Sequence, residues 1–192
     1  SILIKQNEYN EVISHYKDLV NSTKFIAANA VTLQLKNLIN SNKYINILSN
    51  YAVTYKADGE RYFLLINNIG EMYLLNNNFI LKKIDIIDKK YNNSLFETEL
   101  VDNNIYIYDL LYKNKKDIRN TPLIGINSRD QNIDEFLKKI HKSEIYNIKK
   151  KGHHSSDNIF KNINELLNNK ENLEYETDGL IFTPINEYYF HY

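Results

Sequence analysis

Ala52-Val53-Thr54-Tyr55-Lys56-Ala57-Asp58-Gly59-Glu60-Arg61-Tyr62-Phe63-Leu64-Leu65-Ile66 is the stretch whose reading decides the fold. Two runs rich in aliphatic, β-branched and aromatic residues flank an Asp-Gly turn, the pattern of two strands joined by a tight reversal. Gly59 is read as the residue that permits the reversal. The turn gathers a primary amine at Lys56, a carboxylate at Asp58 and a guanidinium at Arg61. Lys56 ends a strand, so packing can hold its amine still. That amine becomes a nucleophile if its pKa falls from the usual ~10.4, which a neighbouring cation such as Arg61 or a bound metal favours. Arg61 offers several donors to phosphate or ribose hydroxyls. An Asp-Gly turn alone reads more simply as an exposed hairpin. The four fixed positions of Lys-x-Asp-Gly-x-Arg together arise by chance in only about one chain in a thousand of this length.

Outward from this turn the spacing predicts an α+β order. Tyr9, Val12, Ile13, Tyr16, Leu19 and Val20 recur at helical spacing over residues 7–20, and Leu33, Leu35, Leu38 and Ile39 suggest a second short helix. After Ile66 the hairpin signal Asn67-Asn68-Ile69-Gly70 leads to a strand at Met72–Leu75. Two further strands are expected at Leu95–Val101 and Ile105–Leu111, across Asp102-Asn103-Asn104. A long helix is expected from Asn132 to Lys149, with Ile133, Phe136, Leu137, Ile140 and Ile145 buried. Another helix would carry Ile159, Ile163, Leu166 and Leu167, before a last strand, Gly179–Phe182, that stops at Pro184. Helices, an antiparallel meander, helices and a final strand make an α+β fold rather than an alternating βαβ one.

The composition narrows the class. The 192 residues amount to about one domain at ~150 residues each. Lys plus Arg and Asp plus Glu number 24 each. That balance argues against a strongly basic nucleic-acid coat but leaves room for a local basic groove. With 43% hydrophobic residues the chain can bury a core. No apolar run approaches the ~18 residues of a membrane-spanning helix. There is no cysteine, hence neither a disulfide nor a thiolate site, which fits a reducing, cytoplasmic setting. Arginine occurs only at positions 61, 119 and 129, and neither of the last two has a motif around it.

Lys-x-Asp-Gly-x-Arg resembles the motif of the covalent nucleotidyltransferases, the RNA-capping guanylyltransferases and the ATP-dependent DNA and RNA ligases. Other stretches resemble that superfamily's further motifs in order. Phe96-Glu97-Thr98-Glu99-Leu100-Val101 is similar to the third motif, Tyr106-Ile107-Tyr108-Asp109-Leu110-Leu111 to the aromatic-Asp motif after it, and Thr177-Asp178-Gly179-Leu180-Ile181-Phe182-Thr183-Pro184 to the fourth. Asp-Gly-Leu-Ile-Phe in the fourth motif resembles capping enzymes, where ligases usually carry Glu-Gly. Ala30-Val31-Thr32-Leu33 is similar to a segment that precedes the nucleophile in many capping enzymes. The resemblance runs from about residue 30 to 184 and is closest to the guanylyltransferase portion of the multifunctional capping enzymes of large cytoplasmic DNA viruses and cytoplasmic linear plasmids. It implies a location in the cytoplasm, a viral factory or a virion.

The resemblance implies a fold of antiparallel sheets flanked by helices with a nucleotide cleft between them. Residues 1–192 then form a single nucleotidyltransferase domain ending 14 residues after Asp178, without the two-lysine fifth motif and the C-terminal OB-fold. In the implied reaction Lys56 attacks the α-phosphorus of GTP, and the 5′-diphosphate end of an RNA then takes the GMP. Mg²⁺ or Mn²⁺ would offset the charge of the two anionic partners. Asp178 would be the metal-associated carboxylate, Glu99 a ribose acceptor, Arg61 a ribose or phosphate donor and Tyr108 the ring stacked on guanine, with Asp58 part of the nucleotide-binding turn. RNA triphosphatase and methyltransferase domains or subunits are the expected partners, and no membrane is. Two departures stand in the third motif, where Glu97 replaces the usual Asp and Thr98 the usual glycine. The alternatives are an ATP-dependent ligase with a lysyl-AMP intermediate and a non-catalytic module that binds nucleotide or a partner. Outside these motifs, His153-His154 lacks a third ligand at metal-binding spacing. Lys149-Lys150-Lys151 reads either as solvated charge or as a local RNA-backbone contact.

Overall fold

The computed structural model describes residues 1–26, 31–33, 51–57, 59–152, 154–155 and 177–184. The expected helix around Ile159–Leu167, the residues 35–39 of the second expected helix, and both Asp58 and His153 lie outside the described residues. The described elements are α1 (Gln6–Val20), β1 (Val31–Leu33), β2 (Tyr51–Ala57), β3 (Glu60–Ile66), β4 (Glu71–Leu75), β5 (Leu81–Ile87), β6 (Ser94–Val101), β7 (Asn104–Lys113), β8 (Lys116–Asp117), α2 (Arg129–Lys139), β9 (Asn147–Lys150), β10 (His154–Ser155) and β11 (Thr177–Pro184). The architecture is α+β.

The larger sheet runs β5-β4-β3-β6-β7-β8, with β9 added alongside β7. Its central strand β3 is buried from Tyr62 to Ile66, because a helix covers each face. Tyr62, Leu64 and Ile66 pack with Phe96, Ile105 and Ile107 against Ile133 and Phe136 of α2. Phe63 and Leu65 point the other way and pack with Tyr73, Leu95 and Leu111 against Val12, Tyr16 and Val20 of α1. An uninterrupted apolar run is what a strand buried on both faces requires, whereas alternation would have left one face wet.

Both helices are fixed at their ends by sequence-encoded devices. α1 closes on Asn21, held at φ 51°, with the Ser22 amide donating to the Lys17 carbonyl at 3.1 Å; asparagine tolerates this left-handed position. α2 opens on Ser128, whose hydroxyl accepts from the Gln131 amide at 3.1 Å. Lys83 of β5 clamps α1 to the sheet, lying 2.8 Å from Glu8 and 3.1 Å from Glu71.

Four expectations are corrected. The helix expected to reach Lys149 ends at Lys139, where Ile140 turns to ψ 150°. The chain beyond it is recruited by the sheet: Asn147–Lys150 pairs in parallel with Asn104–Ile107, making the sheet mixed rather than wholly antiparallel. Ile145 is therefore exposed at the surface rather than on a buried helix face. Leu33, expected on a helix, pairs as a strand residue opposite Leu180. Leu81–Ile87, for which no element is expected from the sequence, is the edge strand beside β4; its charges at Lys82, Lys83 and Asp85 blur the period-two pattern.

The smaller sheet runs β1-β11-β2-β10. β11 lies antiparallel to β2 over its whole length, pairing Gly179 with Lys56 and Thr177 with Ala57, with a register irregularity between Thr177 and Gly179. Phe136 is the keystone of the α2 side, fully buried, with ring centroids 4.4 Å from Phe96 and 4.8 Å from Tyr91. Truncating it leaves a cavity between helix and sheet. Phe136→Ala is expected to lower stability by about 3–5 kcal/mol, read as a shift in the chemical-denaturation midpoint at unchanged slope.

Candidate active site

The two sheets follow one another in the chain at β2 and β3, which end at Ala57 and begin at Glu60. A β-carbon at Gly59 would stand 2.8 Å from the Leu100 carbonyl oxygen and 2.6 Å from a Val101 methyl. The glycine is therefore required by close approach to β6; the tight reversal expected here joins no hairpin, since β2 pairs with β11 and β10 while β3 pairs with β4 and β6. This contact seats the Lys56–Arg61 segment against the end of β6 that carries Glu97 and Glu99.

Arg61, Glu97 and Glu99 fall on one face of the sheet, since β3 pairs Arg61 with Glu99 and Phe63 with Glu97. Glu97 is 1% exposed and forms an ion pair with the Arg61 guanidinium. Its extra methylene, relative to the Asp that usually stands there, lets it span to Arg61. Thr98, in place of a glycine, is buried and donates from its hydroxyl to the Tyr62 carbonyl at 2.9 Å, tying β6 to β3.

Tyr108 is brought to the same place by a bulge. β6 pairs Glu97 with Asp109 and Thr98 with Ile107, leaving Tyr108 unopposed. Such a bulge re-aims one side chain out of the alternation. Its hydroxyl takes a hydrogen bond from Arg61, and burial together with Glu99 and Asp109 pushes its phenol pKa well above the usual value. The ring therefore stays neutral at any physiological pH.

Lys151, absent from the sequence-level site, completes the cluster. Its amide continues the β9 ladder by donating to the Ile107 carbonyl at 2.7 Å. Its ammonium lies 3.2 Å from Glu99 Oε2 and 5.7 Å from the centroid of the Tyr108 ring. At 2% exposure Lys151 is no solvated charge. Lys150 is likewise engaged, 3.0 Å from Asp130 and 2.8 Å from Asp134. The lysine run thus splits by strand alternation, and only knowledge that residues 147–150 form a strand would have revealed it.

Below Tyr108, Asp109 is 2% exposed and lies 2.9 Å from Nε and 3.3 Å from Nη2 of Arg129, itself 1% exposed. Arg129 Nη1 also donates to the carbonyls of Arg119 (2.8 Å) and Thr121 (3.1 Å). This isolated arginine is the anchor of the bulged strand. Arg119 is held by Asp117 at 2.6 Å.

The structure therefore brings Arg61, Glu99 and Tyr108 together with Glu97 and Lys151. Lys56 and Asp178 are placed by backbone register on adjacent strands, Asp178 lying within the irregularity next to the Gly179–Lys56 pair. Among the described residues no group of three or more His, Cys, Asp or Glu gathers as a metal cage, and no helix is long and apolar enough to cross a membrane.

Lys56 and Asp178 thus stand on paired strands, and the chain runs on from Lys56 to the buried polar cluster that holds Arg61 and one aromatic ring. The model of the mRNA capping enzyme catalytic domain matches residues 2–191, and the chain belongs to that family, whose chemistry is nucleotidyl transfer by a guanylyltransferase. A probable mRNA-capping enzyme of Acanthamoeba polyphaga mimivirus is 28% identical over 246 residues, covering 98% of this chain and 20% of the relative. The chain thus spans about a fifth of that relative's length.

Breaking the Asp109–Arg129 pair strands a buried charge. Arg129→Ala is expected to cost about 3–5 kcal/mol in denaturant unfolding. The apolar double variant Asp109→Leu/Arg129→Met recovers most of that loss, because neither charge is then left unpaired.

Proposed function

We infer that this chain is the guanylyltransferase unit of an mRNA capping enzyme, transferring GMP from GTP to the 5′-diphosphate end of RNA through a lysyl-GMP intermediate. One observation carries the reading: the β2–β11 register sets Lys56 opposite Gly179, beside Asp178, while the strand leaving Lys56 delivers Arg61 to the Glu97–Tyr108 cluster. In the first step the Lys56 Nζ lone pair forms a bond to the α-phosphorus as the bond to the bridging oxygen breaks. Pyrophosphate leaves and the amine gives up its proton. In the second step a β-phosphate oxygen of the RNA end displaces Lys56, and the amine regains a proton. The product is a GpppN cap.

Each residue of the cluster has a physical part in this. Tyr108, neutral and aimed by its bulge, offers a ring on which a base stacks for ~1–3 kcal/mol. Glu99 offers carboxylate oxygens to ribose hydroxyls, and Arg61 donates to ribose or phosphate. The Lys151 ammonium donates only, so beside a base on Tyr108 it meets the carbonyl edge of guanine favourably and the amino edge of adenine unfavourably. That donor is the specific observation that favours GTP over the ATP of a ligase.

A divalent metal fits the donor set. Asp178 would supply a carboxylate, and hard cations such as Mg²⁺ are held by one or two carboxylates with substrate phosphates and water rather than by a protein cage. When bound, it would offset phosphate charge and orient the leaving group. Removal of the RNA γ-phosphate and methylation of the cap fall to other domains or subunits, in line with the greater length of the mimiviral relative.

Incubation of the full chain with α-labelled GTP and Mg²⁺ or Mn²⁺ is expected to give a covalent, acid-labile adduct that Lys56→Ala abolishes. An adduct from ATP alone would assign a ligase instead. For Lys151→Met, the preference for GTP over ATP in adduct formation should fall by about tenfold or more, the cost of a lost hydrogen bond to a charged donor; an unchanged ratio would remove Lys151 from base selection.

A further inference from the structure

We propose that a pocket on the opposite side of Arg61 from the Tyr108 cluster seats the first nucleoside of the acceptor RNA. The inference rests on the guanylyltransferase reading and adds a second substrate site to it.

The pocket exists because β4 stops short. β3 is paired with β6 from Glu60 onward, but with β4 only from Phe63, so no β4 residue stands opposite Glu60, Arg61 or Tyr62. The chain turns away after Leu75, and the loop Asn76–Ile80 leaves a hollow of about 490 Å³ bounded by these residues and Phe25. The loop is built rigidly. Asn76 Oδ1 accepts from the amides of Asn78 at 3.0 Å and Ile80 at 2.9 Å, and the Phe79 carbonyl is pinned to α1 by the Tyr9 hydroxyl at 2.6 Å.

The lining is amphipathic in a particular order. Arg61, 38% exposed at its side chain, lines the pocket and is also ion-paired to Glu97 of the Tyr108 cluster. Phe25 forms an aromatic wall, held by stacking on Phe63 with centroids 4.5 Å apart, and Ile80 opposite leaves 52% of its surface uncovered. Asn77 and Asn78 present exposed amides at the rim. Glu60 adds a carboxylate that already accepts from the Tyr62 hydroxyl at 2.9 Å. An apolar slot, neutral amides, one hydroxyl acceptor and a guanidinium at one end match a nucleoside with a phosphate attached, in the manner of single-strand binding sites that combine a stacking surface with a backbone cation.

The chemistry decides which nucleoside this is. In-line displacement requires the RNA diphosphate to enter opposite the Lys56–phosphorus bond, through the position pyrophosphate has left. Guanosine occupies the Tyr108 side of Arg61, so the nucleoside carried by the incoming diphosphate lies on the other. Pyrophosphate shares the diphosphate but carries no nucleoside, and this difference separates the two in experiment.

The test uses the full chain in three assays: lysyl-GMP formation from GTP, release of GTP from the adduct by inorganic pyrophosphate, and GMP transfer to an RNA with a 5′-diphosphate. The variants are Ile80→Ala and the exposed pair Asn77→Asp/Asn78→Asp. The expected result is a KM for RNA raised about tenfold or more, with the two nucleoside-free assays within about twofold of the parent. An unchanged KM for RNA in both variants overturns the proposal, as does equal impairment of all three assays, which would assign the pocket to the phosphates of GTP. Absence of any adduct in the parent chain would instead sink the guanylyltransferase reading.

Discussion

Three buried carboxylates on adjacent strands, Glu97, Glu99 and Asp109, hold this structure to its form. Each is nearly excluded from water, and each is matched by a cation delivered from a different element: Arg61 from β3, Lys151 from the end of β9 and Arg129 from α2. A buried charge without a partner is expensive, while a matched one is near neutral. The set therefore adds little net stability but penalises any arrangement in which the three cation-bearing elements dock elsewhere.

The same arrangement explains how positioning and chemistry are divided. Strand pairing fixes Arg61, Glu97 and Glu99 by alternation alone. Tyr108 needs the bulge, and the bulge is anchored by the next residue, Asp109, on Arg129. The Tyr108 ring is thereby set by a side chain two elements away, Arg129 of α2. Glu97 and Thr98, the two departures from the usual third motif, are absorbed structurally, one by spanning to Arg61 and the other by a hydroxyl bond across to β3.

Much of this was legible in the sequence where one residue's neighbours in the chain are also its neighbours in space. The strands either side of Asp58-Gly59, the buried run Tyr62–Ile66 and the α1 stripe of Val12, Tyr16 and Val20 depend on local period and composition. The ordered motifs placed Glu99, Tyr108 and Arg61, which the fold gathers. What escaped depends on tertiary pairing. Leu81–Ile87 has charges that mask its alternation. Asn147–Lys150 looks helical until β7 offers it hydrogen bonds. Lys151 and Arg129 look like ordinary surface cations until their buried partners are known. Gly59 was rightly singled out but for the wrong cause, since crowding by β6 is invisible in a turn signal.

The parallel addition of β9 to β7 carries one more consequence, for the order in which the molecule assembles. Asn104 and Asn147 meet although they stand 43 positions apart in the chain, through a crossover that must close before Lys151 reaches Glu99. Contacts of such long sequence separation are entropically late. The meander β3 to β7 can zip up hairpin by hairpin, but the corner around Tyr108 and Lys151 matures only when α2 has swung across and β9 has joined the sheet. The buried Glu99–Lys151 pair is thus the late contact of this sheet, formed only once β9 is in place.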